Sequence, residues 1–364
     1  MNVLDGIKMS TGLRSTGIDL HTLGAGYKTP WPGGCPTADR AAEKTSQKAV
    51  NVTSSESLEI TRLVYYSLAI SPAGSRETQW IQSIRSLRRY NAHIPVQLFL
   101  FNGAPPAMIR EAHRQRVEVF ELGDYVQYLD RLFVHGSLLA QYPTFHKFLV
   151  LTHSPARAAN QILYLDCDTF FFHDVETLFN CYESFDWCAR EEPTSRVSDI
   201  PCDPSHLDER SFDSLARAAG LHYVYPCNTG FCLMNRATWE RLDDLRTVYL
   251  ELAWRLLVGR RLAMTQPPAW ENEIHAATMP RITNGDRFRA LPFPSQNPWI
   301  IDEIALWLTL GHIPNLSQGL LHRDDVAQGS EFGEALRAGG PCVAAHYFSC
   351  LESAFFDMVG RIDS

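Results

Sequence analysis

Apolar residues fall along this chain in two rhythms. Short unbroken runs rich in β-formers occupy 62–70, 93–101, 117–122 and 162–165. Between the first three the spacing turns helical. Trp80, Ile81, Ile84 and Leu87 recur along 78–90, and 106–115 is a second, shorter helix. Strand alternating with helix predicts βαβ units and a parallel sheet. Residues 132–151 read as a helix broken at Tyr142-Pro143, 185–192 as a strand, and 237–258 as a long amphipathic helix. A last helix opens near Asn297 and runs to Leu310, and 342–349 is an apolar strand carrying His346. Together these predict an α/β fold, a mostly parallel central sheet flanked by helices, in a single domain over 58–364. Residues 1–57 have little periodicity and much Gly, Thr, Ser, Pro and Lys, so they read as a flexible extension. The Pro- and Ser-rich stretch 193–208 reads as a long loop, either a lid over substrate or a plain insertion.

Composition narrows the function. An apolar fraction of 45% and a charged fraction of 20% over 364 residues describe a folded globular chain. The net charge of −8 argues against a general nucleic-acid binder, whose affinity would come from Lys and Arg. A local basic pocket for a diphosphate remains open. No run of 18 apolar residues is present, so no membrane span is expected. The first residues lack the apolar core of a secretory signal. Nine cysteines contain no CxxC pair, so a zinc site is not expected. Their odd number, without an export signal, predicts free thiols and a cytoplasmic location.

The chemistry is concentrated where the run Ile162-Leu163-Tyr164-Leu165 stops, at Asp166-Cys167-Asp168. Side chains at i and i+2 of an extended segment point the same way, so both carboxylates can converge on one cation. Buried ionised groups must be paired or coordinate a metal. In open α/β sheets the ligand crevice lies at the carboxyl ends of the strands. The pattern therefore suggests a divalent ion held by one or both carboxylates and completed by substrate phosphates. The alternative is a turn whose Asp pair caps the next segment. Lys147 stands ahead of this strand, where a cation would neutralise diphosphate, pair with a carboxylate, or simply be solvated. In Asn228-Thr229-Gly230, glycine permits close backbone approach, and asparagine offers donor and acceptor to sugar hydroxyls. Asp302 and Glu303 lie in a first helical turn, a placement that suits the helix dipole without further role. Glu271 and Glu273 are weaker acidic candidates. Ser67, near the end of the first strand, is a candidate lining residue. His346 is either a satisfied core histidine or a ligand able to share a metal with oxygen donors, with His322 as its rival.

These residues resemble a known family. The strand ending in Asp-X-Asp, followed by Thr169 and Phe170-Phe171-Phe172, resembles the metal-binding signature of nucleotide-sugar-dependent glycosyltransferases with the Rossmann-like GT-A fold. Asn228-Thr229-Gly230 before an apolar strand resembles their Asn-(Ala/Thr)-Gly element, and His346 their late histidine. The resemblance covers about 60–350 and is greatest to the families around glycosyltransferase family 8. Two departures stand out. Asp302-Glu303-Ile304 replaces the Asp-Gln-Asp helix start, and no His-X-X-Gly-X-X-Lys-Pro-Trp occurs late in the chain. The resemblance implies Mn²⁺ or Mg²⁺ held by Asp166, Asp168 and His346. It implies a UDP-sugar donor contacted by Lys147, Asp166, Ser67, Asn228 and Gly230. Asp302, Glu303 and Asn228 would face the donor sugar and acceptor. Transfer would go, with retention, to a hydroxyl of a carbohydrate, protein or small molecule. Two rivals are a scaffold that binds nucleotide or carbohydrate without catalysis, and a sugar nucleotidyltransferase. The second usually carries a Gly-rich basic loop after the first strand, where this chain has a single Gly and one Arg over 71–76.

Overall fold

The computed structural model describes residues 62–71, 75–142, 144–150, 159–191, 207, 209–218, 221, 226–295, 297–328 and 342–347. The expected extension 1–57 and most of the 193–208 loop lie outside them. The described chain opens with β1 (Arg62–Ala69), α1 (Arg76–Tyr90), β2 (Val96–Phe101), α2 (Pro106–Arg114) and β3 (Glu118–Glu121). Next come α3 (Tyr125–Leu132), the single turns α4 (Gly136–Leu139) and α5 (His146–Leu149), and β4 (Gln161–Leu165). β5 (Thr169–Phe171), α6 (Glu176–Cys181), β6 (Trp187–Glu191), α7 (Glu209–Ala218) and β7 (Cys227–Asn235) follow. The rest is α8 (Arg236–Asp244), α9 (Arg246–Ala263), α10 (Asn272–Thr278), α11 (Asn284–Arg289), α12 (Ile301–Leu310), β8 (Gln318–Leu320), β9 (Val326–Gln328) and β10 (Ala344–His346).

Seven strands form the main sheet in the order β3-β2-β1-β4-β7-β6-β8. β1 pairs in parallel with both β2 and β4, β2 with β3, and β6 with β8. β7 alone runs against its neighbours β4 and β6. The fold is thus α/β with a mostly parallel central sheet. Alternate residues of the strands feed two cores. Leu63, Tyr65, Phe99, Ile162 and Tyr164 join α9 and α12 on one face. Val64, Tyr66, Leu98, Leu163 and Leu165 meet Trp80, Ile84 and Met108 of α1 and α2 on the other. Both faces are covered, which explains why these strands are apolar without alternation. A second sheet of three short strands, β5-β10-β9, follows on from β4.

Three expectations need correction. The helix expected over 132–151 is two isolated turns, α4 and α5, and the real helix, α3, lies before it. Phe133 breaks it with extended backbone. Gly136 then lies where any Cβ would run into the Leu129 backbone, and proline at 143 cannot donate to a helical ladder. The amphipathic stretch after residue 236 is two helices, joined at Leu245. Cysteines 167, 188, 227, 232 and 342 are free and buried as expected. Cys181, however, is disulfide-bonded, against the expectation of free thiols. Among the described residues no helix is long and apolar enough to cross a membrane.

Candidate active site

β4 ends at Leu165, and the next backbone N–H, that of Asp166, donates to the Gly230 carbonyl at 2.7 Å. This bond sets Asp166 beside the antiparallel strand β7. Cys167 turns the other way, buried with its Sγ 3.5 Å from Gln79 Oε1. Asp168 therefore returns to the side of Asp166. The chain then enters β5, whose Thr169 pairs with His346 of β10, and the Tyr347 N–H donates to the Asp168 carbonyl at 3.0 Å. That ladder brings position 346 to position 168. His346 Nε2 lies 3.2 Å from Asp168 Oδ1 and 3.8 Å from Asp166 Oδ2. One donor atom from each of Asp166, Asp168 and His346 can be chosen so that all lie within 4.8 Å of one another. Two carboxylate oxygens and an imidazole nitrogen are a donor set suited to a divalent transition metal.

Gly230 is the floor of this cluster. A Cβ there would stand 2.8 Å from Asp166 Oδ2 and closer still to the His346 ring. Beside it the β6–β7 register jumps, from Ala189 opposite Cys232 to Arg190 opposite Asn228. β7 therefore departs from β6 over Thr229–Phe231, the kind of irregularity found next to functional sites.

Lys147 reaches in from α5. Its backbone carbonyl is anchored by the Tyr65 hydroxyl at 2.9 Å, and Leu149's by that of Tyr128 at 3.0 Å. Nζ donates to Asp166 Oδ2 at 3.1 Å and to Thr229 Oγ1 at 3.3 Å, and lies 4.0 Å from Asp302 Oδ2. Burial alone would lower the lysine pKa, but Asp166, Asp302 and Glu303 outweigh it and raise it, so the ammonium is held charged. Burial pushes the Asp166 carboxyl up, but Lys147, His346 and a hydrogen bond from Tyr164 together hold it below the ordinary carboxylate range. The Tyr164 hydroxyl donates to Asp166 Oδ1, and the Lys147 ammonium lies 5.9 Å from the centroid of the same ring. Burial likewise lowers the His346 pKa, and the Asp168 and Asp166 carboxylates more than reverse it.

The α12 pair divides. Glu303 Oε1 accepts from the Thr229 N–H at 3.0 Å and from its hydroxyl at 2.9 Å. Asp302 is 3% exposed, and its Oδ1 has no hydrogen-bond partner. Burial, with Glu303 and Asp166 nearby, raises its pKa to about 7 against the pull of Lys147. Glu303 is raised as well, chiefly by burial.

Lys147, Asp166, Asp168, Asp302, Glu303 and His346 thus stand in one cluster with Thr229 and Gly230. Asn228 adjoins it, and its side-chain carbonyl accepts from the Gly230 N–H at 2.9 Å. Ser67 is buried and shares a 2.7 Å hydrogen bond with His146 Nδ1 of α5. Glu271 is elsewhere, in a buried ion cluster with Arg260 and Arg261. Glu273 is exposed. His322 Nδ1 sits near Asp324, outside the cluster. Sequence reasoning passed over Tyr164 and Thr229. Tyr164 is hidden in an apolar run where its hydroxyl has no pattern. Thr229, at the centre of Asn-Thr-Gly, looks like a turn residue until Glu303 is placed opposite it.

No protein-family model and no curated protein sequence matches this chain. Comparison with solved structures does return matches. Mouse xyloside xylosyltransferase 1, apo form, aligns at 13% identity and a TM-score of 0.43, covering 79% of this chain and 98% of that one. Galactosyltransferase LgtC with donor and acceptor sugar analogues aligns at 11% and 0.44, covering 78% and 86%. The apo bifunctional glycosyltransferase WbbM aligns at 10% and 0.46, covering 82% and 47%. Likeness at such identities says nothing of substrate.

Proposed function

We propose that this chain is a metal-dependent glycosyltransferase that moves a sugar from a UDP-sugar to an acceptor hydroxyl with retention. The observation that carries the reading is the convergence of Asp166, Asp168 and His346 at the carboxyl end of β4, with the charged Lys147 against Asp166. The imidazole favours Mn²⁺ over Mg²⁺, which prefers oxygen donors and water. The residues fit such an ion. Their donor atoms are grouped, and Gly230 leaves them room that any other residue would take. A divalent cation bound there supplies Lewis-acid stabilisation of the departing diphosphate.

The chain's own residues do the rest. Lys147 sets a fixed positive charge beside Asp166, and such a charge would offset that of a diphosphate. Tyr164 holds Asp166 Oδ1 and so leaves Oδ2 to face the cluster. Glu303 fixes Thr229 and, through it, the Gly230 floor. Asp302, the acidic side chain of α12 with an uncommitted oxygen, is the candidate to contact the donor sugar. Retention needs no general base beside the acceptor hydroxyl, and none is assigned here.

Calorimetric titration of UDP and GDP, each with and without Mn²⁺, on wild type and Asp168→Ala, tests the reading. Mn²⁺-dependent UDP binding that is lost in the variant is expected. Binding of neither nucleotide under any metal condition would sink the transferase and leave a scaffold. Release of pyrophosphate from a nucleoside triphosphate and a sugar phosphate would replace it with a nucleotidyltransferase.

A further inference from the structure

Five large apolar side chains are exposed among the described residues: Tyr90, Val126, Val134, Phe288 and Trp299. Phe288 and Val134 lie on α11 and between α3 and α4, segments that contribute nothing to the acidic cluster. Trp299 is placed differently. It sits in the 3-10 turn that leads into α12, three residues before Asp302 in the chain. The residue is 43% exposed. Its ring packs edge-on against Tyr142, with centroids 5.6 Å apart at 75°. Tyr142 stands five residues before Lys147, in the segment that carries the lysine to Asp166. Trp299 thus ties the segment that enters α12 to the segment that leads to Lys147.

The turn that carries it is capped. The Asn297 side-chain oxygen accepts from the Trp299 backbone N–H at 3.0 Å. Behind it, Arg261 donates to the Tyr142 hydroxyl at 2.7 Å. Glu271 then pairs with Arg261 at 2.5 Å and Arg260 at 3.0 Å, and neither Glu271 nor Arg261 has any side-chain exposure. Burying such ions is costly and is often no better for stability than an apolar replacement. Here the cluster braces the tyrosine against which an exposed tryptophan rests. This gives Glu271 a role that its place in the sequence did not suggest.

We propose that Trp299 is the stacking platform of the acceptor subsite, and that the acceptor is a saccharide. The proposal rests on the transferase reading given above. An indole presents an electron-rich face, and the apolar face of a pyranose presents a patch of weakly positive C–H groups that match it. Covering the exposed face would also remove apolar surface from water. A sugar seated there would direct its hydroxyls towards Asp302 and the donor.

The test is saturation-transfer NMR on the full chain with Mn²⁺ and UDP present. The probes are methyl glycosides of glucose, galactose, mannose and xylose, used with wild type, Trp299→Ala and Trp299→Phe. The expected result is transfer to the ring C–H protons of at least one glycoside in wild type. It should be largely kept in W299F and weakened roughly tenfold or more in W299A, with UDP affinity unchanged by calorimetry. If UDP binds normally and no glycoside contact depends on Trp299, the platform is refuted and the donor site stands. A loss of UDP affinity in W299A would make Trp299 a nucleobase stack and overturn the acceptor assignment. Wild type that binds no UDP would sink the transferase reading, and this subsite with it.

Discussion

Gly230→Ala is a one-methyl test of the metal cradle. Gly230 is not among the positive-φ glycines, which are Gly103 and Gly123, so alanine suits its backbone and space is the sole objection. The added Cβ would lie 2.8 Å from Asp166 Oδ2, against an ordinary contact beginning near 3.4 Å, and nearer still to His346. Asp166 must therefore retreat by about half an ångström and the histidine by more, whereas metal–ligand distances tolerate only about 0.2 Å. Even outer-sphere losses cost metal sites roughly 10- to 100-fold in affinity, so displacing two ligands should weaken Mn²⁺ binding about 100-fold or more. Overpacking of this size costs about 1–3 kcal/mol of stability, within what a domain of this size survives. Mn²⁺ titration followed by electron paramagnetic resonance reads the affinity directly, without nucleotide. Circular dichroism checks that the variant folds. A folded G230A that binds Mn²⁺ within about threefold of wild type would refute the cradle, because the ion would then lie elsewhere.

Tyr164→Phe removes the hydroxyl that orients Asp166, and should lower Mn²⁺ affinity roughly 10-fold in the same titration while the far-ultraviolet spectrum stays unchanged. Glu303→Gln keeps an oxygen for both Thr229 donors and should melt near wild type. Glu303→Leu strands two buried donors at about 1–3 kcal/mol each, and equal melting temperatures for the two variants would remove Glu303 from its positioning role. Asp302 has a folded pKa raised to about 7. A raised carboxyl favours folding at low pH and loses that contribution as pH rises from its ordinary value through about 7. Asp302→Asn should therefore gain on wild type by a few kcal/mol between about pH 4 and pH 8 in chemical denaturation, and a pH-independent difference would show that burial does not hold its proton.

What the sequence revealed and what it hid follow from the range of the forces involved. β1, α1, β2 and β4 were legible because apolar periodicity is local and both faces of the sheet are buried. Asp166 and Asp168 were legible because two carboxylates cannot end an apolar strand without a partner. The α3–α5 region was misread because the apolar spacing continues across Phe133, while the break depends on a contact between Gly136 and the Leu129 backbone that no local pattern records. β7 could not be called antiparallel, since direction is set by pairing with β4 and not by composition. Ser67 was a candidate for its place near a strand end and Asn228 for its motif and its amide chemistry. Each makes a hydrogen bond inside the protein that the sequence does not record, Ser67 with His146 and Asn228 with Gly230. Position along a strand predicts neighbourhood, but not which hydrogen bond a side chain will make.

The pair Asp302-Glu303 shows how two adjacent like residues come to differ. Successive residues on a helix point in different directions, so they cannot share one task. Glu303 points at Thr229 and is saturated by it; Asp302 points at Lys147 from 4.0 Å and keeps one oxygen uncommitted. Lys147 lies between this buried pair and the more open Asp166 and Asp168, whose side chains are 26% and 14% exposed. One fixed cation cannot neutralise every carboxylate around it, and the two sides resolve the shortage in opposite ways. On the buried side Asp302 is largely withdrawn from solvent, and burial raises its pKa to about 7. On the open side Asp166 stays ionised, held by Lys147 and Tyr164, and the remaining negative charge faces the crevice. The carboxylates that crowd the lysine thus differ by setting: Asp166 and Asp168 group their oxygens with His346 where an ion could be held, while burial, with Glu303 and Asp166 nearby, raises the Asp302 pKa on the far side of the lysine.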